Sequence, residues 1–181
     1  MVSQPYAFRP VTFRPIAFRR MTAADFPSVR RWLAKPHVAQ WWGDPDEQFA
    51  LVSGDFLSKD SDHPSMDQFI VELDQYPFAY LQCYDPTGWP NHGFGTLPSG
   101  ARGIDQFIGE EDMIDRGHGS ALSRAFVDDL LQAGVPKVLT DPSPANTRAI
   151  RAYEKAGFRR ARPVSTPDGD ALLMVRDPNG T

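Results

Sequence analysis

Residues Asp115–Phe126, DRGHGSALSRAF, set two glycines one residue apart and run straight into a helical pattern. Leu122, Phe126 and Leu130 recur at four-residue steps, so the segment after the glycines forms a helix with one apolar face. Just before it, GIDQFIG (Gly103–Gly109) is short and apolar and reads as a strand. A strand, a compact glycine turn and a helix N-terminus aim free backbone N–H groups at an anion. Arg116 and the Ser120 hydroxyl add two donors. The turn is not a Walker loop, which needs a four-residue gap and a Lys after the second glycine. Nor is it a dinucleotide fingerprint, since no third glycine follows at the required spacing. Alone, such a pair serves equally as a plain turn ahead of a helix.

Downstream, PKVLTD is the next strand. In SPANTRAIRAYEKAGF (143–158), Ser143 suits a helix cap, Pro144 the first helical position and Gly157 a left-handed stop, with Phe158 packing back. ARPVST and ALLMVR flank the turn PDGD and form a final hairpin. Upstream, QFIVEL and FAYLQCYD pair across DQYP. TGWPNHGFGTLPSGARG reads as a long loop too polar to bury. IAFRRMT gives a first strand, and Thr22 caps a helix over AADFPSVRRWLAK. A second helical segment covers PDEQFALVSGDFLSK. Pro10 and Pro15 interrupt a repeated FRP unit, so residues 1–15 read as an extension and 16–181 as the domain. The order β-α-α-β-β-β-α-β-α-β-β describes one mixed α/β domain.

The 181 residues suffice for one sizeable core, and a 41% hydrophobic share is that of a globular chain. No apolar run reaches the roughly 18 residues of a membrane span, and no secretory signal opens the chain. Cys83 stands alone, which excludes an internal disulfide and a cysteine zinc site. His37, His63, His92 and His118 lack metal-ligand spacing, so no metal is expected. A cytoplasmic location is the expectation, with no membrane partner.

The net charge of −4 is unevenly spread. Residues 36–115 hold 15 Asp/Glu against Lys59 and Arg102, while residues 116–181 hold ten Lys/Arg against seven acids. An acidic middle suits a cationic ligand and a basic final third an anionic one; plain solvated surface explains both equally well. The overall sign disfavours nucleic acid.

A strand, R-G-x-G-S, a helix, a strand and NTRAIRAYEKAGF, in that order over residues 104–158, resemble the GNAT superfamily of N-acetyltransferases. The resemblance implies a single α/β (α+β) domain whose mixed, mostly antiparallel central sheet is flanked by helices. It implies acetyl-coenzyme A as co-substrate, its pyrophosphate in the glycine turn. The implied coenzyme contacts are Gln106, Phe107, Ile108, Arg116, Gly117, His118, Gly119, Ser120 and Asn146. One departure is Ile114, where the superfamily usually has Gln or Arg; Arg116 is the residue placed to compensate.

WWG (41–43), RGIDQ (102–106), TDPSPANTRAIRAYEKAGF (140–158) and TPDGD (166–170) together resemble the aminoglycoside 6′-N-acetyltransferases. By that resemblance, Asp105, on an edge strand facing the coenzyme, is the base that takes the amine proton. Tyr153 is the acid that protonates the departing thiolate. Trp42, Gln82, Asp141 and Asp168 line the amine cleft, and the partner is a small cationic amine. The protein is expected as a monomer or homodimer.

The chemistry asks for such groups. An alkylammonium ionises near pKa ~10, so almost none is nucleophilic at neutral pH without a base. A departure lies in the loop ahead of RGIDQ: it is rich in acids in that family, whereas TGWPNHGFGTLPSGA has none. A related branch acylates hydroxylated lysine in siderophore assembly; KPHVAQWWG and FAYLQCYD fit it nearly as well, and RGIDQ favours the first. A non-catalytic acyl-coenzyme sensor would need neither Asp105 nor Tyr153.

Overall fold

Among the described residues, seven strands build one sheet: β1 (Ile16–Arg20), β2 (Met66–Leu73), β3 (Tyr76–Tyr84), β4 (Arg102–Ile108), β5 (Val138–Thr140), β6 (Arg159–Thr166) and β7 (Gly169–Arg176). They lie in the order β1-β2-β3-β4-β5-β7-β6. The helices are α1 (Phe26–Leu33), α2 (Pro36–Trp42), α3 (Pro45–Leu57), α4 (His118–Gln132) and α5 (Thr147–Lys155). These come from a computed structural model that describes residues 16–57, 66–89 and 92–178. The 1–15 extension and His63 lie outside the described residues.

Every neighbouring pair is antiparallel except β4–β5. β3 and β4 stay paired from Tyr84↔Gly103 to Ala79↔Ile108. β4 and β5 pair only at Arg102↔Val138 and Gly103↔Leu139. β5 stops after Thr140, where Asp141 is followed by Pro142, a residue with no N–H to continue a ladder. Beyond Gly103, therefore, β4 has a ladder on one side and a gap on the other. β4 is thus an interior strand with an open stretch, where the sequence reading had an edge strand.

Period-two alternation sends β3 and β4 side chains to two faces. Ile70, Tyr80 and Phe107 pack on Val29, Trp32, Leu33, Val38 and Val52 of α1–α3. Leu81, Cys83 and Ile104 pack on Leu122, Phe126, Val127, Ile150 and Tyr153 of α4 and α5. Several of these side chains, Trp32, Tyr80, Ile104 and Leu122 among them, are wholly buried, each worth about 1.5–3 kcal/mol of apolar transfer.

Four local expectations are corrected. KPHVAQWWG contains a further helix, α2: Pro36 suits its first turn, and Gly43 at φ +93° closes it with its N–H on the Ala39 carbonyl, 2.9 Å away. Two turns are too short to show a helical period. Thr22 caps a 3-10 turn over Ala23–Asp25 rather than α1; Asp25 accepts from the Thr22 N–H (2.8 Å) and hydroxyl (2.9 Å). α5 begins three residues after Pro144, because Asn146 Oδ1 takes the Ala149 N–H at 3.0 Å and Ser143 is spent on the preceding turn. Finally, the long loop is not too polar to bury. Its Phe94 and Ala101 join Leu139, Val164, Ala171, Leu173 and Val175 in a third apolar cluster. Its backbone presses on β6, where a Cβ at Gly93 would lie 2.6 Å from the Ser165 carbonyl oxygen.

Among the described residues no helix is long and apolar enough to cross a membrane.

Candidate active site

The β3–β4 register sets Gln82 opposite Asp105. Gln82 Nε2 donates to Asp105 Oδ2 at 2.9 Å, and Tyr84, two residues along the same face, also hydrogen-bonds the carboxylate. Burial pushes Asp105 up, to about 6, with Asp168 adding to it; the Gln82 and Tyr84 bonds oppose the rise. Asp141, the first residue beyond β5, is pushed to about 8 by burial, then by Asp105 and Asp168. Asp168 comes from the β6–β7 turn, where Thr166 Oγ1 accepts its N–H at 3.3 Å. Three carboxylates from three elements thus lie within reach of one another's charge, and Asp105 and Asp141 are both raised by it. Near neutral pH their mutual repulsion is relieved by a proton or by a bound cation.

Tyr153 comes from α5. It is buried, its ring 5.4 Å from Phe158 in an edge contact, and it hydrogen-bonds Thr140 at the end of β5. Burial, then the Asp105 charge, pushes its phenol well above the ordinary value, so it holds its proton. Trp42, at the end of α2, stands edge-on to Phe107 (4.9 Å) and Tyr80 (6.0 Å) and walls the Asp105 face.

The glycine turn opens α4. Gly117 is the N-cap at φ +82°, a conformation that favours glycine, and a Cβ there would meet nothing within 4 Å. At Gly119 a Cβ would find only ordinary contacts, Ala152 and Ile108 at 3.8 Å. Space in front of the turn is therefore open. The first helical bond runs from the Ala121 N–H to the Gly117 carbonyl, leaving the N–H groups of His118, Gly119 and Ser120 without a helical acceptor. The Ser120 hydroxyl donates to the Gly117 carbonyl (2.9 Å), so its proton points into the turn and its N–H is the donor it offers outward. Arg116 is exposed, and the His118 ring lies 5.5 Å from Phe78. A groove of about 560 Å³ runs from Ser120 and Ala121 past Arg124, Ala125 and Asp128 to Lys155.

Gln106 points away from Asp105, toward α4. Its Nε2 donates to Ser123 Oγ (2.6 Å) and the Gly119 carbonyl (3.2 Å), while Ser123 Oγ donates to that same carbonyl (2.8 Å). A carbonyl only accepts, so the amide nitrogen must face it. Gln106 Oε1 is then buried without a partner, the one such side-chain atom among the described residues. An open glycine turn and a buried acceptor awaiting a donor fit a ligand with a diphosphate and amide groups. The Phe107 side chain lies in the α1–α3 core, and the Ile108 carbonyl accepts from His37 Nε2 (3.0 Å). Asn146 spends its oxygen on the α5 cap.

Tyr80, Tyr84, Ser123 and Thr140 escaped the sequence reading. Tyr80 and Tyr84 flank Gln82 at two-residue steps, so the β3 alternation was the available signal; Ser123 and Thr140 carried none. Among the described residues no group of three or more His, Cys, Asp or Glu is arranged to hold a metal ion.

A parallel strand pair that parts after two residues, beside buried carboxylates, together with an open glycine turn at a helix N-terminus, is the frame of an acyl-coenzyme-dependent transferase. The chain belongs to the GNAT acetyltransferase family, whose acetyltransferase domain matches residues 21–166. It is 38% identical over 164 residues to aminoglycoside N(6′)-acetyltransferase type 1 of Klebsiella pneumoniae, covering 86% of this chain and 80% of that protein. A kanamycin resistance protein of Rhizobium radiobacter is 51% identical over 78 residues, 42% of this chain and 72% of the relative. The solved structure of aminoglycoside acetyltransferase AAC(6′)-Ib with coenzyme A and kanamycin superposes with a TM-score of 0.80 at 34% identity. It covers 92% of this chain and 96% of that one.

Proposed function

We propose that this chain moves the acetyl group of acetyl-coenzyme A to the 6′-amine of an aminoglycoside or a similar polyamine. The observation that carries this reading is that Asp105, Asp141 and Asp168, from three elements, act on one another's charge, with the Tyr153 phenol within reach of Asp105 and Asp141. Three mutually repelling carboxylates are a site for an acceptor with several ammonium groups. The relatives' aminoglycoside names support the same substrate class.

Acetyl-coenzyme A supplies an activated acetyl thioester. The N–H groups of His118, Gly119 and Ser120, with Arg116, hold its diphosphate; the groove along α4 takes the nucleotide end; Gln106 Oε1 accepts from the pantetheine arm. The Arg102 N–H bonds the Lys137 carbonyl on the β5 side, so by strand alternation the Gln106 N–H faces that same side, beyond the last β4–β5 pair, and polarises the thioester carbonyl. Asp105 takes a proton from the incoming ammonium, which frees the nitrogen lone pair. Tyr153 holds a proton at its hydroxyl for the departing sulfur. Asp141, Asp168 and Trp42 orient the acceptor.

The test is release of free thiol with kanamycin as acceptor, with the acetylated position assigned by NMR. Acetylation at the 6′ nitrogen supports the proposal. Transfer to hydroxylysine but not to kanamycin selects the siderophore-type reaction, and coenzyme binding with no turnover on any amine selects a sensor.

A further inference from the structure

Tyr80 has no exposed surface. Its ring stacks on Phe107 (5.2 Å, 23°) and meets the edge of Trp42, so it cannot touch a substrate. Its hydroxyl nevertheless sits in a chain of polar groups that ends at Asp105. Gln68 Nε2 donates to the Val52 carbonyl of α3 (2.9 Å), and the Gln68 side chain also bonds the Tyr80 hydroxyl. Tyr80 donates to Gln82 Oε1 (3.0 Å), and Gln82 Nε2 donates to Asp105 Oδ2 (2.9 Å).

The direction of every link follows from the first. The Val52 carbonyl can only accept, so Gln68 must turn its amide nitrogen to it, and that NH2 gives its second hydrogen to Tyr80. Tyr80 has one hydrogen, which therefore goes to Gln82 Oε1. The Gln82 amide is thereby prevented from flipping and presents N–H to Asp105. A flipped amide would set two acceptors 2.9 Å apart and add to the burial that already opposes the carboxylate.

We infer that Tyr80 is a positioning residue of the transfer reaction: through Gln82 it fixes a hydrogen-bond donor on Asp105, which keeps that side chain ionised and oriented. The inference rests on Asp105 being the base. The other groups facing Asp105 are Tyr84 from β3, Tyr153 from α5, Asp141 beyond β5 and Asp168 from the β6–β7 turn. Asp55 of α3 acts electrostatically on Tyr80 itself. None of these is altered by removing the Tyr80 oxygen.

The experiment is the pH profile of kcat/KM for kanamycin in the parent, Tyr80→Phe, Gln82→Ala, the double variant and Asp105→Asn. Phe keeps the ring stack. Tyr80→Phe is expected to move the acid limb up by about one pH unit, about tenfold in rate below the limb, with KM for acetyl-coenzyme A unchanged. Once Gln82 is Ala, losing the Tyr80 hydroxyl should shift the limb no further. Gln68→Met, which removes the anchor, should shift it the same way by less and serves if Tyr80→Phe does not fold. An unmoved limb in both Tyr80→Phe and Gln68→Met, or additive shifts in the double variant, overturns the inference. If Asp105→Asn keeps the parent's rate and limb, Asp105 is not the base and both readings fall. If Asp105→Asn removes the limb while Tyr80→Phe and Gln68→Met both leave it in place, only the Tyr80 link falls.

Discussion

Asp105 and Asp141 are acids whose folded pKa values, about 6 and about 8, lie above the ordinary 3.8. Ionising them costs the fold free energy, fully above those values and not at all near pH 4. Asp141→Asn should therefore melt higher than the parent at pH 8, with the difference vanishing as pH falls toward 4; thermal melts across that range check it. The same variant should raise KM for kanamycin, a stability gain at the expense of function. Asp168 raises Asp105, so Asp168→Asn should move the acid limb of kcat/KM downward. Tyr153→Phe should lower kcat by about tenfold, less than the roughly 100-fold or more usual for a proton-transfer group, because a coenzyme thiolate leaves tolerably without help. Asp105, Asp141 and Tyr153 were named from RGIDQ and TDPSPANTRAIRAYEKAGF by resemblance; periodicity alone did not reach them. Their electrostatic coupling was not legible, because it depends on where β5 stops.

Glu110, two residues past β4, accepts from Trp32 Nε1 (2.7 Å), Arg31 (3.0 Å) and Lys35 (3.0 Å), tying α1 and its C-terminal edge to the exit of the open strand. Burial would raise this acid, but the bonds from Trp32, Lys35 and Arg31 win and hold it at about 2. A lowered acid contributes stability above its ordinary 4.5 that is lost as pH falls from there toward 2. Glu110→Gln should cost about 2–3 kcal/mol at pH 7 by denaturant unfolding, with the difference fading through that window. Beside it, a Cβ at Gly109 would lie 2.2 Å from Trp32 Cγ, a wholly buried ring. Gly109→Ala should cost about 1–3 kcal/mol by overpacking. The hairpins and α4 were legible because strand alternation and four-residue steps are long enough to count. α2 and the start of α5 were not, since a two-turn helix has no visible period and a cap depends on which side chain reaches the N–H first. The buried Phe94 was hidden by the polar composition around it.

Across the whole molecule, an acidic middle segment supplies Asp105, and the basic final third supplies Arg116 beside the glycine turn. One chain thus presents a negative gap to its acceptor and a positive turn to its anionic co-substrate. Screening should act on the first strongly: raising salt from ~0.05 to ~0.5 M should cut kcat/KM for a tetra-cationic acceptor by about tenfold, and that for a mono-amine far less. Among the described residues, the order of strands and helices follows a single logic, in which β5's early stop ends the β4–β5 ladder after Gly103. The most direct measurement is kcat/KM for acetyl transfer to kanamycin against pH in the parent and in Asp105→Asn. A parent rate that falls as pH drops through about 6, and a variant about 100-fold slower or more with no such limb, is the predicted result. A variant that retains the parent's rate and its acid limb would contradict the account.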